Sequence, residues 1–235
     1  MIFTIEKYKT KNEWLAKRGI GGTGASSILN CNPYKTKTEL YDNIIYGGDK
    51  EVEDYTNDSI ELGINMEPLI RNEFKLDYKT KLEIVEPPKK GNWIYRRIDK
   101  PYLTASLDGE LTAISDLAET GIKTGDKGVL EIKTHDLRGK VDESEWVEGN
   151  TLPQHYYIQV LHYLMVTGYE FAYLRARLRK INYSTKEVKY IITKDYLILR
   201  KDKENEIKYL ENKETDFWEN NVLKKIRPQA VITFN

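Results

Sequence analysis

Two acidic residues and one lysine, placed in two short segments, carry the densest chemical signal in the sequence. Asp108 lies in residues 105–109 (Ala-Ser-Leu-Asp-Gly), and Glu131 and Lys133 lie in residues 130–134 (Leu-Glu-Ile-Lys-Thr). Side chains alternate between the two faces of a strand, so Glu131 and Lys133 share one face. If the two segments form a hairpin, Asp108 lies beside Glu131.

A carboxylate pair with a neighbouring lysine is suited to phosphoryl chemistry. Two carboxylates within a few ångströms repel, so one binds a proton or both share a cation. Hard oxygen ligands with no nearby thiolate favour Mg²⁺ or Mn²⁺, and Lys133 could hold an attacking water or stabilise charge on phosphorus. Taken alone, a Glu-x-Lys strand more often decorates a solvated sheet face, and an Asp-Gly pair is usually only a turn.

Two predicted helices place polar residues where a packing pattern would not. In the first, a 4-3-4-3 spacing puts Glu67 and Arg71 on an otherwise apolar stripe. In the second, His155, Gln159 and His162 share a polar face. These residues strengthen the case for a polar site beside the carboxylates.

Two sets of basic side chains could bind phosphate groups. Arg18 precedes a glycine-rich turn and Ser26, and an arginine, a hydroxyl and helix N-terminal amides are groups that bind phosphate. Arg175, Arg177 and Arg179 share one face of a predicted strand. They form either a stripe that follows DNA phosphates or a solvated face partly neutralised by nearby carboxylates.

The elements that position these residues run in the order helices, strands, helix, two strands and helix. This order predicts an α/β (α+β) sandwich with a mixed central β-sheet flanked by helices, in a single domain over residues 1–235. Its N-terminal part (about 1–80) is helical, its core (about 81–194) is β-rich, and a helix (about 195–226) closes it. The predicted helices cover residues 12–18, 25–30, 38–46, 59–78, 154–166, and 196 or 204 to 225. The predicted strands cover residues 82–86, 93–97, 103–106, 110–114, 129–134, 173–178 and 188–193.

Glycine and proline positions refine these elements. Residues 21–24 (Gly-Gly-Thr-Gly) predict a turn that leads into a helix, and residues 121–128 predict an exposed loop between two hairpin strands. Pro68 lies inside the helix predicted over residues 59–78, where proline forces a kink or a new helix start.

Composition excludes several classes of protein. The single cysteine among 235 residues rules out an intrachain disulfide framework, a four-cysteine zinc site and a cysteine-ligated iron–sulfur cluster. No apolar run approaches the length of a membrane span, and the first residues do not read as a signal peptide, so we expect a cytoplasmic protein. The 37 basic and 37 acidic residues balance, but residues 39–73 carry −8 and residues 175–203 carry +7.

Several motifs together resemble those of the YqaJ-type viral recombinase family, nucleases of the phage lambda exonuclease type in the PD-(D/E)XK superfamily. The resemblance implies a restriction-endonuclease-like core and Mg²⁺-dependent degradation of one strand of duplex DNA, 5′ to 3′, leaving a 3′ overhang for recombination. We expect Mn²⁺ to substitute for Mg²⁺. The motifs are Trp14-x3-Arg18-x7-Ser26, Cys31-Asn32-Pro33-Tyr34, Gly63-x3-Glu67-Pro68-x2-Arg71-x2-Phe74, Ser106-x-Asp108-Gly109, Leu130-Glu131-Ile132-Lys133 and Gln159.

The resemblance also implies roles for the residues around the metal. Asp108, Glu131 and the backbone carbonyl of Ile132 would hold it, and Glu67 would ligate or support a second ion. Lys133 would orient the hydrolytic water.

A second group would hold the end of the DNA. By the same resemblance, Arg18, Ser26 and Ser106 would bind the 5′-terminal phosphate, with Gln159 alongside. The proline of the family signature is Leu107 here, which affects the turn and not the chemistry.

Partners and alternatives follow from the family. It implies double-stranded DNA ends as substrate, a homotrimeric ring around DNA and a single-strand annealing protein as partner, with no membrane. The alternatives are another PD-(D/E)XK nuclease, either an endonuclease or a CRISPR-type exonuclease without an iron–sulfur cluster, and a DNA-binding protein that keeps the fold but does not cut.

The remaining reactive side chains favour ordinary structural roles. His135 could touch the site but is more typical of a surface histidine, and His155 and His162 lack a third ligand that would indicate zinc. Cys31 is more typical of a packed or idle thiol than of a nucleophile. Some of the 17 tyrosines could stack on DNA ends, although most should pack in the core.

Overall fold

The computed structural model describes residues 2–47, 58–86, 92–137, 143–148, 151–182, 184–185 and 187–229. A strand over Phe3–Tyr8, which the sequence analysis did not predict, precedes the first helix. Helices follow it in the N-terminal part, strands and one helix occupy the middle, and another helix follows the last strand. The elements are β1 (Phe3–Tyr8), α1 (Lys11–Lys17), α2 (Gly22–Ile28), α3 (Lys37–Tyr46), α4 (Asp58–Asp77), β2 (Leu82–Val85), β3 (Asn92–Arg97), β4 (Thr104–Ala105), β5 (Gly109–Ala113), β6 (Lys127–Leu137), α5 (Gln154–Thr167), β7 (Phe171–Ile181), β8 (Val188–Leu199) and α6 (Glu204–Phe217).

A five-stranded mixed sheet forms the centre of the fold. Its strand order is β2-β5-β6-β7-β8, in which β6 and β7 are parallel and the other neighbours are antiparallel. Helix α5 makes the crossover between the two parallel strands, as parallel pairing requires. A smaller antiparallel sheet has the order β1-β3-β4. The predicted mixed α/β fold is therefore confirmed.

Helices cover both faces of the central sheet. Ile70 and Phe74 of α4 pack with Leu130 and Ile132 of β6 on one face. On the other face, α5 joins a larger core in which its residues 158–167 are all buried. Because helices pack on both faces of the sheet, the side chains of β6 are buried on both sides. One side is apolar and the other carries Glu131. None of the described helices is long and apolar enough to span a membrane.

The glycines at residues 21–24 differ from the prediction. Gly21 is the N-cap of α2, so this helix begins at Gly22, three residues before the predicted start, and not after a turn. A Cβ on Gly22 would lie 2.6 Å from Cγ of Gln159 and 2.8 Å from Cε1 of Tyr163. The glycine therefore permits close packing of α2 on α5, a purpose that local sequence does not reveal.

Helix α4 passes through Pro68 without a new start. It runs from Asp58 to Asp77 as one helix. Pro68 and Ile64 are both exposed, so water can bond the Ile64 carbonyl, which lacks its usual amide donor four residues later. Of the two predicted outcomes, the new helix start is wrong, because proline removes a hydrogen bond at a position where solvent replaces it. The kink stays a prediction.

The two ends of the β-rich region are close to the predictions. The pair β5–β6 is antiparallel, which confirms the hairpin. Strand β6 begins at Lys127, so the last two residues of the loop predicted over residues 121–128 belong to the strand. Of the two predicted starts for the last helix, the later one is correct, since Tyr196 lies in β8. After Phe217 the chain continues as a short π-helical turn, Trp218–Val222.

Candidate active site

The hairpin places the two predicted carboxylates side by side. Gly109, the first residue of β5, pairs with Leu130 of β6, so Asp108 lies opposite Glu131. The Asp108 carboxylate accepts a hydrogen bond from the backbone N–H of Ile132 at 2.8 Å. Local turn chemistry and strand register therefore bring together residues that are 23 positions apart.

Glu131 lies buried among donors that use only one of its oxygens. Its Oε1 is 2.6 Å from Nζ of Lys133 and accepts a hydrogen bond from Nε2 of Gln159 at 2.7 Å. Gln159 Nε2 also lies 2.8 Å from the Tyr163 hydroxyl. Glu131 Oε2 is buried and has no hydrogen-bond partner among the described residues. A buried carboxylate oxygen without a partner is costly, and a cation would satisfy it.

The charges of the site depend on one another. Burial, together with the charge of Glu131, raises the pKa of Asp108, and burial raises the pKa of Glu131. Burial alone would lower the pKa of Lys133, but the charges of Glu131 and Asp108 outweigh it and raise this pKa. Lys133 is therefore held as an ammonium ion, and the two carboxylates compete for a positive charge.

Helix α4 contributes a third carboxylate and an arginine. Arg71, which is 5% exposed, forms a salt bridge with Glu67 one helical turn earlier and donates through Nε to the Asp108 carbonyl at 2.7 Å. Burial and the charge of Asp108 raise the pKa of Glu67. The two polar residues predicted on this helix thus reach the site, and Arg71 acquires a positioning role that the sequence analysis did not assign. Its place in the Glu67-Pro68-x2-Arg71 motif was the available signal.

The structure does not present a complete cage for a metal. Among the described residues, no three His, Cys, Asp or Glu side chains are grouped closely enough to bind one ion. Asp108 and Glu131 are adjacent, whereas Glu67 is paired with Arg71. The residues that best fit a hard cation are therefore the first two, and the unpartnered Glu131 oxygen supports this fit.

The residues predicted to hold a 5′-phosphate already have other contacts. Arg18 lies over the Trp14 ring at 4.4 Å and lines a cavity of about 520 Å³. Ser26 donates to the Thr23 carbonyl at 2.9 Å, and Ser106 donates to the Trp93 carbonyl at 3.1 Å. Both hydroxyls would have to redirect their protons to bind phosphate, so the phosphate pocket stays a prediction.

The arginine stripe of β7 calls for a correction. Its three guanidinium groups are all bound to carboxylates, and those of Arg175 and Arg177 are buried. They lie on the face opposite Leu174, as predicted, but their charge is neutralised within the protein. The structure therefore favours the alternative of a face neutralised by carboxylates over a DNA-contacting stripe. The ion pairs are Arg175 with Asp77 and Asp195, Arg177 with Glu73, and Arg179 with Asp136.

The histidines occupy three different environments. His162 is fully buried, with Nδ1 2.9 Å from Glu214 and Nε2 2.8 Å from the Thr104 carbonyl. His155 is half-buried next to Tyr156. Its pKa is lowered to about 4, mainly by burial and to a smaller extent by the positive charge of Lys133. His135 packs 5.5 Å from the Trp146 ring. The His162–Glu214 pair could not be predicted, because its members are 52 residues apart and no motif joins them.

Cys31 behaves as a packed thiol. It is half-buried, and its sulfur lies 3.3 Å from the Ser26 carbonyl. Burial raises the pKa of the thiol, which disfavours the nucleophilic thiolate.

Comparison with known proteins places this site in a family. Residues 13–170 match the family described as YqaJ-like viral recombinase domain. A curated relative, the uncharacterized protein YqaJ of Bacillus subtilis strain 168, is 29% identical over 164 residues, which make up 69% of this chain and 44% of the relative. The chain thus spans less than half the length of that relative.

Two solved structures share the fold. The alkaline exonuclease LHK-Exo of Laribacter hongkongensis has a TM-score of 0.62 at 14% identity, over 92% of this chain and 94% of that chain. LHK-Exo in complex with dAMP has a TM-score of 0.61 at 13% identity, over 92% of both chains. At these identities the similarity establishes the phage-type exonuclease fold. The match over residues 13–170, which contains every carboxylate of the site, shows that the chain belongs to the YqaJ-like viral recombinase family.

Proposed function

We propose that this protein is a metal-dependent nuclease that degrades linear duplex DNA from its ends. The observation that carries the proposal is the buried pair Asp108 and Glu131, with the Lys133 ammonium against one oxygen of Glu131 and the other oxygen unpartnered. Membership of the viral recombinase family and the fold shared with an alkaline exonuclease support the same activity.

Asp108 and Glu131, with the Ile132 carbonyl, would hold Mg²⁺ or Mn²⁺. When bound, such a cation polarises the phosphoryl group and lowers the pKa of water. Lys133 would hold the attacking water and stabilise negative charge on the phosphate oxygens. Gln159 fixes the Glu131 carboxylate through its 2.7 Å hydrogen bond, so the ligand is oriented before substrate arrives.

Arg71 supports the other side of the site. It binds the Asp108 carbonyl and the Glu67 side chain, so it fixes the turn that carries the first carboxylate. Release of Glu67 from Arg71 would make a third carboxylate available, which is the role we propose for it with a second ion. A second ion would stabilise the leaving oxygen.

The finer features of the activity rest on the family resemblance. We propose 5′-to-3′ digestion that leaves 3′ overhangs, with Arg18, Ser26 and Ser106 at the 5′-phosphate. A ring of three subunits around DNA, action with a single-strand annealing protein and a cytoplasmic location belong to the same proposal. Because the chain spans 44% of its curated relative, these features of whole proteins need direct tests.

The test is a time course with Mg²⁺ on linear duplex DNA, 5′-phosphorylated and labelled at either end, beside a closed circle. Stepwise loss of the 5′ strand with an intact circle would support the proposal, whereas cutting of the circle would indicate an endonuclease. Lys133→Ala should abolish cutting while DNA binding survives. If the wild-type protein binds both DNAs and cuts neither, the non-cutting alternative is correct.

A further inference from the structure

A row of aromatic rings leads from the lysine of the site to the protein surface. Nζ of Lys133 lies 5.0 Å from the centre of the Tyr156 ring. The His155 ring lies 4.0 Å from that of Tyr156, and the Tyr34 ring meets His155 edge-on at 5.9 Å. The row therefore connects the reacting centre with solvent over three side chains.

The inner and outer ends of this row differ in burial. Tyr156 packs 5.7 Å from Trp146, a fully buried residue of the core. Tyr34, by contrast, is 72% exposed. The outer ring therefore adds little to the core, and its π surface stays in water, where an aromatic ring gains by stacking with another planar group.

The turn that carries Tyr34 is held firmly. Asn32 accepts hydrogen bonds through Oδ1 from the backbone N–H groups of Tyr34, at 2.8 Å, and Lys35, at 3.2 Å. Its Nδ2 donates to the Thr23 carbonyl and to the Ser27 hydroxyl of α2. Because this Asx turn is bonded to a helix, the backbone at Tyr34 is already ordered. Binding through the Tyr34 side chain therefore costs little main-chain entropy.

We propose that Tyr34 and His155 form a stacking platform for a nucleobase of the DNA strand whose phosphate reaches Lys133. The inference rests on the proposed nuclease function and adds a base-binding subsite to it. The two rings are inclined by 82°, so they form a corner in which a base can lie on one face and meet the other ring. Every base has a π face, so such a platform tolerates any sequence, as progressive digestion requires.

Kinetics of four variants test the platform. Tyr34→Ala and Tyr34→Leu should raise KM for linear duplex DNA about tenfold, with a smaller change in kcat, because stacking on one aromatic side chain is worth roughly that factor. Tyr34→Phe keeps the ring and should resemble the wild type. Tyr209→Ala, at an exposed tyrosine of α6, is the matched control and should leave KM unchanged.

A fluorescence measurement separates stacking from catalysis. Duplexes that carry 2-aminopurine at one of the three terminal positions of either strand are bound in Ca²⁺ and their emission is recorded. Stacking should quench the emission of 2-aminopurine at one of these positions when the wild type or Tyr34→Phe binds. It should not do so when Tyr34→Ala or Tyr34→Leu binds. If the wild type digests DNA and Tyr34→Ala has the same KM and the same quenching as the wild type, the platform is rejected while the nuclease function stands. If the wild type neither binds nor digests DNA, the nuclease function fails, and the platform with it.

Discussion

Gln159 of α5 donates a hydrogen bond to Glu131 of β6 at 2.7 Å, and this bond connects the crossover helix with the strand that carries the proposed metal-binding carboxylate. Both side chains are buried, so solvent cannot replace the bond. Gln159 uses the same nitrogen toward the Tyr163 hydroxyl. The orientation of the proposed metal ligand thus depends on the packing of one helix face.

Loss of this bond should weaken the site without destroying it. We expect Gln159→Ala to lower kcat/KM about 10–100-fold, the usual effect of removing a partner that orients a metal ligand. The half-saturating Mg²⁺ concentration should rise in parallel. Gln154→Ala, at the exposed first residue of the same helix, provides the control. Equal Mg²⁺ requirements in both variants would show that Gln159 does not orient Glu131.

Asp108→Asn should remove activity and yet stabilise the fold. Burial and the Glu131 charge raise the pKa of Asp108, so the folded protein retains a proton that the unfolded chain releases at the same pH. The contribution of such a group to stability falls as the pH rises from the unfolded to the folded pKa. Asparagine keeps an oxygen for the Ile132 N–H and carries no charge, so we expect a gain of about 1–3 kcal/mol at pH 8.

Thermal melting with and without Mg²⁺ checks this expectation. The wild type should gain stability with Mg²⁺ by mass action, and Asp108→Asn should melt higher without metal but respond less to it. Asp116→Asn is the control, because the pKa of the exposed Asp116 is lowered by its hydrogen bonds to Thr124. A lower melting temperature for Asp108→Asn than for the wild type would contradict a repulsive carboxylate pair.

The pH dependence of cutting should reveal competition between protons and metal. Because the pKa values of Asp108 and Glu131 are both raised, these ligands become protonated at a higher pH than ordinary carboxyl groups. We expect kcat/KM to fall on the acid side well above pH ~4, the range of exposed carboxylates. Higher Mg²⁺ should move this limb to lower pH, since cation and proton exclude each other. If the pH at which kcat/KM falls on the acid side does not change with Mg²⁺ concentration, the titrating group is not a metal ligand.

The site was predictable to the extent that local periodicity encodes it. Alternation along β6 places Glu131 and Lys133 on one face, and a short hairpin arm is enough to bring Asp108 beside them. The helical spacing of Glu67 and Arg71 predicted their shared stripe, which the salt bridge between them confirms. Each of these relationships requires only strand register or one turn of helix.

Relationships between distant segments were not predictable. Gly22 suggested a turn because glycine favours turns, whereas its use is to let α2 approach Gln159 and Tyr163. The Arg175 stripe left two interpretations open, because the partner Asp195 lies on the neighbouring strand β8 at a register that the sequence does not specify. Tertiary packing decided both cases, and neither leaves a pattern in the local sequence.

Arg18→Ala should remove any preference for phosphorylated 5′ ends. Arg18 stacks on Trp14 and lines a cavity bordered by α1, β1 and β3, so a phosphate there would gain a charge-assisted hydrogen bond. We expect the ratio of rates on phosphorylated and hydroxyl ends to fall about tenfold, measured on otherwise identical duplexes. Lys17→Ala removes a positive charge from the same cavity and should change the ratio less. An unchanged ratio in Arg18→Ala would move the phosphate pocket elsewhere.

Gly22→Ala should disturb the site through the helix that supports it. The added Cβ would lie 2.6 Å from Gln159 and 2.8 Å from Tyr163, closer than carbon atoms approach, so α2 or these side chains must shift. Overpacking of this kind costs about 1–3 kcal/mol, and displacement of Gln159 should also lower kcat/KM.

A helical glycine with space around it supplies the comparison. A Cβ on Gly63 of α4 would meet only Thr134 Oγ1 at 3.4 Å, so Gly63→Ala should be neutral or stabilise the fold by up to about 1 kcal/mol. Urea unfolding of both variants gives the two free energies. In a double-mutant cycle, Gln159→Ala should relieve part of the Gly22→Ala penalty, since the closest atom is removed. Strict additivity of the two changes would mean that α2 and not Gln159 absorbs the strain.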